Sequence, residues 1–178
     1  MRAIVASIES EYRRYRMLGE RAIAQLTDEH LCAQAPSGGN SVATLVWHMS
    51  GNFKSRFTDF LDSDGEKPWR DRESEFARRS VSRSEVLGKW NEGWEILFDA
   101  LGRLNDADLQ RKVTIRGRPL GVHEALHRSL AHASFHVGQV VFLAKSLLGP
   151  EWDYLTIPPG KSEDYNRNPS GEKGPAPA

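Results

Sequence analysis

Four long stretches of this chain repeat apolar residues at helical spacing, and the segments between them are rich in Gly, Pro, Asn and Ser. That pattern restricts the fold more than any single motif, because each stretch must bury its apolar face against another. Residues 2–27 place Ile4, Ile8, Tyr12, Tyr15, Leu18, Ile23 and Leu26 near one side, with Arg and Glu elsewhere. After the loop HLCAQAPSGGN, Asn40 or Ser41 can cap a second helix running to about Asp62. Its residues Val42, Val46, Met49, Phe53, Phe57 and Phe60 fall within a narrow arc at about 100° per residue. Ser82 or Ser84 can cap a third helix, which carries Val86, Trp90, Trp94, Leu97 and Leu101 to about Leu104. A fourth spans 121–148 and stops at Gly149 and Pro150. The expected fold is an all-α four-helix bundle roughly 30 Å long, with its interior open to side chains from every helix.

The connections carry their own expectations. DSDGEKPWRDRESEFARRS is longer than the usual link between neighbouring helices, which implies a crossover or a functional loop. Within it Trp69, Arg70 and Arg72 are available to a substrate or a second subunit, or form a solvated charged loop. VTIRGRPLGV is β-prone around Arg116 and Gly117, as a short hairpin or an extended loop. PPGKS at 158–162 is not a phosphate loop, since that pattern needs Gly where Leu155 stands and a flanking strand and helix. It reads as an ordered extension packed on the bundle. One domain is expected over residues 1–168, followed by a flexible tail over 169–178 rich in Gly and Pro.

Composition narrows the partners. Lys plus Arg and Asp plus Glu each number 24 in 178 residues, so no excess positive charge favours nucleic acid. No run reaches the roughly 18 apolar residues of a membrane span. The single cysteine, Cys32, excludes an internal disulfide and fits a reducing compartment, the cytoplasm. The N-terminal MRAIVASIESEYRRYR lacks the apolar core of a signal peptide.

The chemistry lies in the histidines. GVHEALHRSLAHASFHVGQV puts four on one helix. His123 and His127 frame Glu124 in the H-E-x-x-H pattern of zinc proteases. His132 and His136 share the four-residue spacing, but lie about 180° away around the helix, so the two pairs cannot share one ion. The apolar stripe of Leu126, Leu130, Ala133, Val137, Val140, Ala144 and Leu148 runs between them. Uncharged neighbours, Ala125, Ser129, Leu143 and Leu147, favour the second pair as interior. The protease reading lacks a third ligand at the metzincin spacing, where Leu130 and Ala133 stand, and lacks a sheet to hold a peptide. For His132 and His136 the third ligand must come from another helix. His48, off the phenylalanine arc and beside Leu45 and Asn52, is the candidate. Three imidazoles with open positions suit Zn²⁺, Ni²⁺ or Fe²⁺. Asn52, one turn after His48, is either a substrate contact or structural filler.

LVWHMSGN on the second helix together with HASFHVGQ on the last, in a four-helix chain of this length, resembles the DinB/YfiT-like superfamily. HMSGNFKSRFTDFLDSDGEKPWRDRESEF and TIPPGKSEDYN look like one bacterial branch of it. The resemblance covers nearly the whole chain. It implies a four-helix bundle, often homodimeric, with a divalent metal between helices two and four. The family's three metal-binding histidines fall on His48, His132 and His136. Relatives include S-transferases and isomerases that use a low-molecular-weight thiol, so the resemblance implies a metal-dependent enzyme with a small-molecule substrate and a thiol cosubstrate. The alternative is a non-catalytic dimeric bundle, stress-related or structural, whose site is vestigial or holds a structural metal.

Overall fold

A computed structural model describes residues 1–35 and 38–169. Its elements are helix α1 (Ala3–Ala24), the short α2 (Asp28–Cys32), α3 (Val42–Phe57), the single turn α4 (Arg72–Glu75) and α5 (Arg83–Gly102). They are followed by a two-stranded hairpin of β1 (Lys112–Ile115) and β2 (Arg118–Gly121), then α6 (Val122–Leu148) and α7 (Ser162–Arg167). The helical bundle is the one the periodicity requires. α3 packs chiefly on α5 and α1 chiefly on α6, and α1–α5 and α3–α6 contacts close the ring. No described helix is long and apolar enough to cross a membrane.

Local chemistry starts the helices. Ser41 Oγ accepts from Thr44 N at 3.1 Å. Ser82, rather than Ser84, caps α5, and Glu85 returns a carboxylate to the Ser82 N–H at 2.8 Å. α1 has no such residue of its own. Asp106 caps it from a hundred residues away, taking the N–H groups of Ile4 and Val5 at 3.1 and 3.0 Å. Arg2 answers at the far end of α5, donating to the carbonyls of Leu101 and Leu104 at 2.9 Å. The two termini that meet here thus satisfy each other's free backbone groups.

The core runs through Val5, Tyr12, Ile23, Val46, Met49, Phe53, Trp90, Trp94, Leu97, Leu126, Val137 and Val140. Trp90 and Trp94 are 1% exposed. Each removes on the order of 200 Å² from water, roughly 5 kcal/mol of transfer free energy before the cost of ordering. Gly93 makes the α3–α5 contact close, because a Cβ there would lie 2.7 Å from the backbone of Ser50.

Several expectations shift. Ile4 is 56% exposed and Val5 takes its place inside. The loop after α1 contains α2, capped by Thr27. The second long helix ends at Phe57 rather than near Asp62, since Thr58 is extended and Asp59 turns left-handed at φ 48°. Phe60 is therefore only half-buried at the edge of the core. The turn sends the chain back along α3, where Ser55 Oγ donates to the Gly65 carbonyl at 2.6 Å and Arg56 donates to the same oxygen.

The hairpin forms, with Ile115 opposite Arg118. Its turn puts Arg116 at φ 57° and Gly117 at φ 70°, the conformation of a type I′ turn. Arginine is disfavoured there, and Asp64 stabilises it by accepting from the Arg116 and Gly117 N–H groups at 2.8 and 2.7 Å. These bonds, with one from Glu66 N at 2.7 Å, hold the Asp64 carboxyl well below the usual carboxylate range. The C-terminal extension is ordered. Trp152 and Leu155 enter the core, and Arg21 donates to the Leu155 carbonyl at 2.8 Å. The tail expected to be flexible lies, from residue 170 onward, outside the described residues.

Candidate metal centre

The three histidines selected by spacing converge. His48 comes from the middle of α3, and His132 and His136 lie one turn apart on α6. His132 Nε2 is 3.2 Å from His48 Nε2 and 3.1 Å from His136 Nε2. All three candidate ligand atoms lie within 4.8 Å of one another. Nitrogens sharing an ion at 2.0–2.1 Å, in tetrahedral to octahedral arrangements, stand roughly 2.9–3.4 Å apart, and both spacings fall inside that range.

The outer nitrogens explain why the Nε2 atoms face inward. His48 Nδ1 is 2.9 Å from Glu75 Oε2. Arg70 grips the same carboxylate with two bonds of 2.8 and 2.9 Å, and Arg79 donates to the Glu75 carbonyl at 2.8 Å. Burial would raise the Glu75 pKa, but the hydrogen bonds from His48 and Arg70 overcome it and hold the group below the ordinary carboxylate range. An ionised Glu75 can only accept, so the His48 proton sits on Nδ1 and the Nε2 lone pair is free. Gln139 does the same for His136, its Oε1 lying 2.7 Å from Nδ1. Two lone pairs thus point at His132, which has at most one proton to give on that side. A cation satisfies all three nitrogens where a single proton cannot.

His132 is held as a neutral base. Burial, the neighbouring His136 and His48 rings, and the more distant Arg70 and Arg56 push it down to about 3. The His136 pKa is also lowered, by burial and by His48, against the opposing hydrogen bond to Gln139. Neutral imidazoles near pH 7 are the form that ligates metal.

The backbone makes room for this network. A Cβ on Gly51 would lie 2.1 Å from Glu75 Oε1, so only glycine at that point on α3 admits the carboxylate beside His48. Phe76 covers the His48 ring at a centroid distance of 4.7 Å.

A cavity of about 430 Å³ adjoins the cluster. His48, His132 and Asn52 line it on the bundle side. The hairpin residues Val113, Thr114, Ile115 and Arg116 line it opposite, and Phe57 and Phe60 add apolar wall. Asn52 is thus part of the cavity wall, one turn from His48. Arg70 is buried against Glu75, Arg72 lines the cavity, and Trp69 is 54% exposed.

HEALH is not part of the centre. His123 and His127 are exposed on the opposite side of α6. His123 Nδ1 is 3.0 Å from the Leu109 carbonyl, and Glu124 caps the helix by accepting from the Gly121 N–H at 2.6 Å. The motif's glutamate thus serves the start of a helix.

Glu75, Arg70 and Gln139 in their supporting roles were not found from sequence. Gln139 had a signal, since i to i+3 on a helix puts it beside His136. Glu75 had none, being one of several acids in an irregular polar segment.

Fold and site together define a helical bundle with a three-histidine cluster between two of its long helices. The chain belongs to the family described as "Protein of unknown function (DUF1572)", whose model matches residues 2–161. That family is DinB/YfiT-like, in line with the resemblance carried by LVWHMSGN and HASFHVGQ. No curated protein matches the chain.

Proposed function

We propose that the protein binds one divalent metal ion, Zn²⁺, Ni²⁺ or Fe²⁺, through His48, His132 and His136, and is a metal-dependent enzyme acting on a small molecule in the adjoining cavity. The observation that carries this reading is the convergence of three Nε2 atoms while Glu75 and Gln139 occupy the Nδ1 atoms of His48 and His136. A structural polar cluster has no need to direct lone pairs at one another.

When bound, the ion supplies positive charge that lowers the pKa of a water or thiol on it, making a nucleophile near neutral pH. The chain supplies the rest. Glu75 and Arg70 fix the His48 ring, and Gln139 fixes His136. Phe57, Phe60, Val113 and Ile115 limit water beside the site, and Asn52 offers an amide one turn from His48. The finer reading, transfer to or from a low-molecular-weight thiol, draws its support from the DinB-like resemblance. Phe135 and Phe142, 62% and 70% exposed two turns apart on α6, support the homodimer that the resemblance implies. A single cysteine supports a cytoplasmic protein, and one hydrophobic core containing residues from Val5 to Leu155 supports one domain over residues 1–168.

Elemental analysis of untagged protein, purified after supplementation with each metal, tests the centre. Wild type and His127→Ala are expected to carry about one ion per chain, and His132→Ala to lose most of it. Wild type without stoichiometric metal, or loss confined to His127→Ala, would overturn the assignment. Conjugation assays with bacillithiol, mycothiol or glutathione and a panel of electrophiles then test the reaction; no turnover with any thiol removes the transferase reading.

A further inference from the structure

Among the described residues, the cavity beside the histidines is lined by five arginines, Arg56, Arg70, Arg72, Arg116 and Arg128, and by no carboxylate. Arg70 is committed to Glu75. Arg56 and Arg116 both reach a single acid, Glu66, at 3.2 and 2.9 Å. The nearby Asp64 carboxylate is occupied by three backbone N–H groups. Arg72 meets the exposed Glu73 at 3.4 Å and lies over the Phe76 ring at 5.0 Å. Arg128 has no ion pair or hydrogen bond among the described residues. The chain as a whole carries no net charge, so this local excess is a property of the cavity rather than of composition.

Position adds direction. Arg128 precedes His132 by four residues on α6, which places it one turn, roughly 6 Å, along the same face. Arg116 stands at the hairpin tip across the cavity and is held there by Asp64. Phe57, Phe60, Val113 and Ile115 give the same cavity apolar wall. A volume near 430 Å³ matches a small molecule. Guanidinium groups present paired N–H donors whose geometry fits carboxylate or phosphate oxygens.

We propose that the substrate is a small anion bearing a carboxylate or phosphate group, bound by Arg128 and Arg116, with its other end directed toward His48 and His132. The direction toward the histidines rests on the metal-centre reading; the anion site itself does not.

Calorimetric titration of the full chain at low ionic strength tests this, with inorganic phosphate and succinate as probes and succinamide as the uncharged control. Each titration is run on metal-supplemented and chelator-treated protein. Chelator-treated wild type is expected to bind at least one anion, and succinamide at least tenfold more weakly. Arg128→Gln should weaken the anion about tenfold, and Arg128→Glu should abolish its binding while the metal content of both variants stays at the wild-type value. Arg116→Gln should also weaken it, and raising the salt tenfold should weaken wild type further. Preference for phosphate or for succinate identifies which acid group the substrate carries. Wild type that takes no metal yet binds anions in this pattern removes the metal centre and supports the anion site. The proposal is overturned if neither anion binds, if succinamide binds as tightly, or if Arg128→Gln stays within twofold of wild type.

Discussion

Replacing Glu75 by glutamine separates the two tasks this carboxylate performs. It accepts from His48 Nδ1 at 2.9 Å and neutralises Arg70, whose side chain is 2% exposed. Glutamine keeps the shape and one oxygen but loses the charge. Outer partners of ligating histidines typically contribute 10- to 100-fold in metal affinity, so Zn²⁺ binding should weaken by about 1.4–2.8 kcal/mol. Removing one member of a buried ion pair costs about 3–5 kcal/mol, and the retained oxygen places this case near 3 kcal/mol of folding stability. Chelator competition reads the first quantity and urea denaturation of metal-free protein reads the second. Adding Arg70→Met removes the stranded charge, and should restore much of the stability while leaving Zn²⁺ binding weak. The reasoning fails if the single variant binds Zn²⁺ within threefold of wild type, or if the double variant regains full affinity.

Acid should loosen the metal-free protein sooner than its carboxylates alone would dictate. His132 takes a proton at an ordinary pKa of 6.5 when unfolded, but only near about 3 in the fold. Between those values the unfolded chain binds the extra proton, so stability is greatest above about pH 6.5 and falls as pH drops, by roughly 1.4 kcal/mol per unit. Going from pH 7 to 5 should cost about 2 kcal/mol in urea denaturation, and His136, shifted the same way, adds to it; equal stability at the two pH values would contradict this. Asp64→Ala removes two backbone hydrogen bonds at the hairpin turn and a third from Glu66 N, and should cost about 1–2 kcal/mol, with increased amide exchange at Arg116 and Gly117. Unchanged exchange there would show that the turn holds without Asp64.

The alternation of apolar and polar residues determined the four long helices and most of their inward faces by itself, because a 3.6-residue period leaves one face to bury. Spacing also identified His132 and His136 as a pair, and showed that His123 and His127 lie opposite, since angular position on a helix follows from residue number alone. Which pair is interior could not be read with the same certainty; it depends on how α6 is rotated against α1 and α3. Tertiary structure decided that rotation, and with it turned HEALH into a helix cap and HASFHVGQ into a candidate metal centre. It also brought Asp106 to the start of α1, and Glu75 to His48 through the gap at Gly51. Neither contact has a periodic signature, because each joins an irregular segment to a helix distant in sequence. Repetition along the chain encodes the helices; the pairing of single polar residues arises only when those helices have packed.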